Sequence, residues 1–252
     1  MNHICKKNIV LYHLYPVNNW KEITQKLLLN IPHDEIFIHV SLPENTDIND
    51  LEVFLLSIQK VKAVYYSENS KYSEVDGLEK FRKSIDFSEC HILTYMHSKG
   101  VTKPGNKNIS DWTELMHYFH TKKINLCAIV FGEKYKLYGV NKKIKYKDVK
   151  SGPLLFSDYH YSGNFVSLNL PLVLQNFMEK TIDKDYYGVE GFWGKLCDSS
   201  EAYNVFGTFI NHYKTPYPKY QYEKSIMYSL NFFIHKCHQF IQEIKYLFYR
   251  FR

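Results

Sequence analysis

Short apolar runs alternate with amphipathic stretches along the first hundred residues, and this alternation constrains the fold most. "KNIVLYHLY" (7–15), "EIFIHVSL" (35–42), "VKAVYYS" (61–67) and "CHILTYMH" (90–97) read as buried strands, rich in β-branched and aromatic residues. Between them, "WKEITQKLLLN" (20–30), "INDLEVFLLSI" (48–58) and "DGLEKFRKSI" (76–85) carry helical spacing, the second opened by the capping residues Asp47 and Asn49. Strand–helix–strand units at this spacing close by right-handed crossovers into a largely parallel sheet with helices on its faces. An α/β fold with a Rossmann-type, mostly parallel central sheet is therefore expected. Ligands of such sheets bind outside the carboxyl ends of the strands.

The fourth strand ends at that edge in His97-Ser98-Lys99-Gly100, and the first ends in His13 and Tyr15. A lysine and a histidine there can neutralise a diphosphate, with Gly100 allowing close backbone approach. The plain alternative is an ordinary polar strand end. Glu68, Asn69, Glu74 and Asp76 lie beyond the third strand, where they could touch a ribose or base, or simply form an acidic loop and helix cap.

Beyond "KPGNKN" (103–108), a loop, the stretch 110–131 reads as one long helix. The segments 135–141 and 153–157 read as short strands, 160–170 begins as strand or loop, and 170–180 is a helix begun by proline. "HYSGNF" places His160, Ser162 and Asn164 around Gly163, short donors and acceptors of the kind a carbohydrate or nucleotide site uses. A β-turn would choose Ser, Gly and Asn for conformation alone. Glu190, in "YGVEGFW", sits between glycines and aromatics; desolvation there would raise its pKa and suit it to general-base work. A helix N-terminal turn favours the same carboxylate through the dipole.

A boundary is expected near Tyr217-Pro218, giving a domain over 1–216 and a tail over 217–252. Within 225–252 apolar residues recur in steps of three and four, one stripe on a helix roughly 40 Å long. With Lys245, Arg250 and Arg252 at its end, this helix suits a membrane interface or a homodimer contact.

Lys and Arg exceed Asp and Glu for a net charge of +6, which fits anionic ligands but is too small to single out nucleic acid, for which no binding signature is present. Five scattered cysteines fit free thiols in a reducing compartment. With no signal-peptide pattern and no apolar run of bilayer length, a cytoplasmic protein, peripheral on the inner membrane through its tail, is expected. Neither GxGxxG, a Walker loop, HExxH nor a nucleophile-elbow serine occurs. The one Asp-x-Asp, Asp183-Lys184-Asp185, falls in a polar turn rather than at the fourth-strand edge. Lys99 is thus expected to supply charge that Mn²⁺ or Mg²⁺ would otherwise supply; no cofactor is required, though a divalent cation is compatible with the chemistry.

In order and spacing, "YHLYPVNNW" (12–20), "LTYMHSKGVT" (93–102), "DWTELMHYF" (111–119), "YGVN" (138–141) and "HYSGNF" (160–165) resemble a family of glycosyltransferase-like proteins of bacterial surface-polysaccharide loci, also met in some viruses and algae. The resemblance spans roughly 8–197. It departs at Val166 and Ser167, where the family has aromatics, and at Thr113, where it has arginine. It implies a GT-A-like fold using a nucleotide-diphosphate sugar and a cell-surface glycan or lipid-linked acceptor. His13, Tyr15 and Glu74 would face the nucleotide, His97, Ser98, Lys99 and Gly100 the diphosphate, "HYSGNF" the sugar, and Glu190 would be the base. The competing expectation is a degenerate, non-catalytic transferase fold that binds glycan or scaffolds a complex.

Overall fold

The computed structural model describes residues 6–145 and 152–223, together with positions 237, 240, 241 and 244. The tail stripe over 225–252 lies outside the described residues apart from those four positions.

Four strands, β1 (Lys7–Leu14), β2 (Glu35–Leu42), β3 (Val61–Glu68) and β4 (Cys90–His97), alternate with helices α1 (Trp20–Leu28), α2 (Ile48–Leu56) and α3 (Ser73–Ser84), as the sequence pattern predicts. The Asp47 side chain caps α2, accepting the amides of Asn49 and Asp50 at 3.0 and 3.3 Å. The sheet has seven strands in the order β3-β2-β1-β4-β8-β5-β9, with β5 (Leu137–Val140), β8 (Val166–Asn169) and β9 (Ala202–Phe206) completing it. Only β8 runs antiparallel to its neighbours, so the sheet is mostly parallel. The α/β class with helices on both faces is what the sequence pattern requires.

β1 lies buried between β2 and β4 and feeds both faces. Val10, Tyr12 and Leu14 join one core layer with Ile92 and Met96 of β4. Ile9 and Leu11 join the other with Leu93 and Tyr95. This two-sided burial is why both strands are nearly continuous apolar runs rather than alternating ones. The first layer is covered by α1, α2, α4 (Lys107–His117) and α5 (Ile124–Gly132), the second by α3, α6 (Leu170–Glu179) and α7 (Gly188–Phe192).

Four details differ from the sequence reading. The long helix expected over 110–131 is broken by a π-helical turn, Tyr118–Lys122, before α5 begins. Thr121 Oγ1 bonds the His117 carbonyl at 2.7 Å, and the turn swings His120 inward to Ser167 Oγ at 2.8 Å. The strand expected at 153–157 is a 3-10 turn, Pro153–Leu155; Phe156 packs so closely on Gly191 that a Cβ there would lie 2.9 Å from its own. The segment 160–170 divides into β7 (Tyr159–Tyr161), which pairs with β6 (Lys142–Ile144) in a separate ribbon, and β8. No element is anticipated at 202–206, where β9 forms. Tyr217 and Tyr222 of the final described segment, ending in α8 (Tyr220–Glu223), are buried in the first core layer and stack at 6.3 Å. Among the described residues no helix is long and apolar enough to cross a membrane.

Candidate functional site

Helical crossovers carry the chain from β1 outward to β2 and β3, then back across to β4, so the connections diverge between β1 and β4. A crevice forms where they part, at the carboxyl ends of the strands. It is a cleft of about 420 Å³ whose lining includes His13, Tyr15, Glu74, His97, Ser98, Lys99 and Gly100. Asn69 and Tyr72, from the loop after β3, complete one wall. The strand-end residues and third-strand loop picked from sequence thus converge on one surface, as does Glu74; Glu68 does not line the cleft, and Asp76 is turned to accept from Ser70 Oγ at 2.6 Å.

A cross-strand row of histidines runs from the cleft lining into the core. His39 of β2 stands opposite His13 of β1, which stands opposite His97 of β4. Ser98 ties the two strand ends together: its amide donates to the His13 carbonyl at 2.9 Å and its hydroxyl accepts the Tyr15 amide at 3.0 Å. Its first duty is therefore to hold the edge in shape.

Glu74, in the first turn of α3, joins the row to the "SGNF" turn. One carboxylate oxygen lies 3.0 Å from His97 Nδ1; the other accepts from Asn164 Nδ2 at 2.6 Å and from the Tyr95 hydroxyl at 3.2 Å. Burial alone would raise its pKa, but the charge and hydrogen bond of His97, with help from His13 and Tyr95, outweigh burial and bring it down to about 2. His97 Nε2 donates to the Gly163 carbonyl at 3.2 Å, so both of its ring nitrogens face oxygen acceptors.

The turn itself is sterically specified. Gly163 has φ +98° and Asn164 φ +62°, left-handed values that favour glycine and asparagine. A Cβ on Gly163 would strike Met116 Sδ and come within 2.9 Å of the Trp112 ring. Asn164 Oδ1 accepts from the buried Trp193 indole at 2.7 Å. Glu190, on the first turn of α7, accepts from His160 Nδ1 at 2.8 Å and from the Gly163 amide at 3.3 Å, both on one carboxylate oxygen. Ser162 is half-buried, and its amide donates to the Asn141 carbonyl at 3.2 Å. Neither Glu190 nor His160, Ser162, Gly163 and Asn164 of the turn line the cleft itself. The two carboxylates hold the turn at successive residues, Glu190 through the Gly163 amide and Glu74 through the Asn164 side chain.

Lys99 follows a tight turn and precedes Gly100, whose φ of +99° needs a residue without Cβ crowding. Its ammonium lies 4.0 Å over the Trp112 ring and 5.9 Å from that of Tyr213. Among the described residues no carboxylate pairs with it and no hydrogen bond to it is formed. Burial lowers its pKa, while the more distant Glu190 and Glu74 pull it up and Lys103 lowers it further. Trp112 touches the site of Gly163 and also carries Lys99 over its ring, so one indole links the cation to the "SGNF" turn.

Several further residues reach the cleft with little or no local signal in the sequence. Lys71, Lys103, Asp185, Tyr186 and Tyr213 all border the cleft. Asp185, read as part of a polar turn, comes to the cleft through the fold, while Asp183 is taken by Lys195. Lys103 could have been found from its place on the loop that leaves "HSKG". Nothing in the sequence places Tyr213 there, more than a hundred residues further on. Among the described residues no three His, Cys, Asp or Glu side chains are grouped to hold a metal ion.

No protein-family model matches the chain, and neither does any curated protein. Among solved structures it is similar to 4-diphosphocytidyl-2C-methyl-D-erythritol synthase from Anaerococcus prevotii, with 13% identity over 73% of this chain and 82% of that one, at a TM-score of 0.38. It is also similar to S. aureus TarS 1-349, with 10% identity over 75% of this chain and 54% of that one, at a TM-score of 0.41. A further structure of 4-diphosphocytidyl-2C-methyl-D-erythritol synthase is 11% identical, covering 90% of this chain and 98% of that chain, at a TM-score of 0.35.

Proposed function

We propose that the protein is a glycosyltransferase of GT-A-like type, which moves a sugar from a nucleotide-diphosphate donor to a cell-surface glycan or lipid-linked acceptor. The observation that carries this reading is Lys99: a half-buried cation at the carboxyl edge of a parallel sheet, braced on Trp112 and paired with no anion among the described residues. Even a half-buried charge without a partner ion loses solvation, and a diphosphate would offset that loss. Lys103 and Lys71, on the same lining, would share the load.

In this reading the nucleotide lies against His13, Tyr15 and the loop after β3, and the diphosphate against Lys99 and Gly100. The acceptor oxygen bonds the anomeric carbon as the bond from that carbon to the diphosphate oxygen breaks. The leaving nucleoside diphosphate takes the electron pair, and Lys99 stabilises the charge that develops. The acceptor enters from the α7 side of the "SGNF" turn, outside the nucleotide cleft, and its proton passes to the Glu190 carboxylate oxygen not engaged by His160 and Gly163. Catalysis is then a matter of electrostatics and positioning, with a divalent cation as an optional supplement.

A second reading is favoured by one observation. Both carboxylates, Glu74 and Glu190, are engaged in holding the "SGNF" turn, which is what a non-catalytic glycan- or nucleotide-binding domain would retain. The deciding experiment measures binding of UDP, GDP and CDP and their sugars by calorimetry, with and without Mn²⁺, followed by donor hydrolysis. Wild-type protein should bind a nucleoside diphosphate, and Lys99→Met should weaken it by roughly 10- to 100-fold, the worth of a charge-assisted contact. Equal affinities in the two proteins would remove Lys99 from the site. Binding without hydrolysis or transfer would favour the non-catalytic reading.

A further inference from the structure

His13 and His39 are 26 residues apart in sequence but adjacent in the row across β1 and β2. Their Nδ1 atoms approach to 3.2 Å and their rings are nearly parallel, 17° apart with centroids at 5.2 Å. Both side chains are buried. Gly77 of α3 roofs the contact: a Cβ on it would lie 2.6 Å from His39 Nδ1 and 2.7 Å from His13 Nδ1. Water therefore has no room between the two nitrogens.

A contact between two Nδ1 atoms needs one proton, so one ring donates and the other accepts. Two tautomer assignments satisfy this. If His13 donates, His39 Nδ1 is the acceptor and bears no proton, so neutral His39 carries its proton on Nε2. That Nε2 atom is buried and has no partner, so this choice strands an N–H donor in the core. If His39 donates instead, its Nε2 is a bare lone pair, which is cheaper to bury than a stranded N–H. His13 then accepts on Nδ1 and keeps its proton on Nε2. Burial holds both rings neutral near pH 7, with His13 lowered to about 4 and His39 to about 3.

His13 lines the cleft, and with Nδ1 engaged by His39 only Nε2 is left to address it. We propose that His39 is a positioning residue that fixes the tautomer of His13, so that His13 presents a neutral Nε2–H donor to an oxygen acceptor of the ligand in the cleft. The ligand's identity as a donor nucleotide rests on the functional reading above; the tautomer assignment does not. A neutral donor selects an oxygen acceptor by direction rather than by charge, complementing the undirected cation of Lys99.

The test is long-range ¹H–¹⁵N correlation of histidine-labelled, ligand-free protein near pH 7.5, with His13 assigned by His13→Gln. Protonated and bare ring nitrogens resonate far apart, so the tautomer is read directly. The expected spectrum has His13 protonated on Nε2 and His39 on Nδ1. His39→Gln, whose amide can still donate to His13 Nδ1, should preserve the His13 tautomer; His39→Leu should leave His13 divided between both forms. Whichever of UDP, GDP or CDP binds should then lose roughly tenfold in affinity in His39→Leu and little in His39→Gln. A wild-type His13 protonated on Nδ1 overturns the proposal, and so does a His39→Leu protein with an unchanged His13 tautomer. Should His39→Leu fail to fold, the wild-type spectrum decides alone. Absence of nucleotide binding in the wild type counts against the functional reading and leaves the tautomer result standing.

Discussion

Lowering the pH from 7 to 5 should destabilise this protein steeply, and the reason is its interior histidines. His13, His33, His39 and His120 are buried, at 0–3% exposure. Burial is the leading cause in each case and lowers them to about 4, 3, 3 and 3. An unfolded chain titrates its histidines near 6.5. Between those values the unfolded state binds protons that the native state refuses, so stability falls as pH falls. At pH 6 each imidazole withdraws about 0.7 kcal/mol relative to pH 7, and at pH 5 about 2 kcal/mol. Four of them remove about 3 kcal/mol at pH 6 and about 8 kcal/mol at pH 5, against a typical domain stability of roughly 5–15 kcal/mol. His117 and His212, each lowered to about 4, act in the same direction. The assay is urea unfolding followed by tryptophan fluorescence at half-unit steps from pH 8 to 5. With a slope near 3 kcal/mol/M, the midpoint should drop by about 1 M between pH 7 and 6. Carboxylates titrate lower and contribute little in that interval, so it isolates the imidazoles. A midpoint that stays constant from pH 7 to 6 would refute the claim that these rings are held neutral.

Asn164→Ala should cost about 2–4 kcal/mol, because it strands the Trp193 indole N–H and removes a donor from Glu74; thermal unfolding monitors this, and a loss under 1 kcal/mol would show that the turn does not depend on those bonds. Glu190→Gln should retain nucleotide binding while transfer falls by 100-fold or more, and unimpaired transfer would remove Glu190 as the base. Deleting 224–252 should move the protein from the membrane fraction to the supernatant, or convert a dimer to a monomer, with nucleotide affinity unchanged; a protein unaltered in both respects would leave the tail stripe without either role.

Much of the candidate site was legible in sequence because its parts are local. A strand that ends in His97-Ser98-Lys99-Gly100 announces its edge, and a turn that needs φ +98° and +62° announces itself by Gly163 and Asn164. The βαβ alternation follows from side-chain periodicity, and periodicity together with right-handed crossovers is sufficient for the class of sheet. The capping aspartate at 47 is a contact between residues two and three apart, and it forms as the sequence requires.

What the sequence could not settle is which distant polar atoms would meet. Glu74 reaching Asn164 across 90 positions, His39 against His13, and Lys99 braced on Trp112 all depend on sheet order and on how α3, α4 and α7 settle on the two faces. The breaking of the 110–131 helix has the same origin: His120 turns inward because Ser167 lies on the neighbouring strand. β9 pairs with β5 across sixty-odd residues of chain that no local pattern links. Periodicity records which side of an element is buried. Only the folded chain decides which buried donor finds which acceptor, because an unmet polar group costs as much as a good core contact gains.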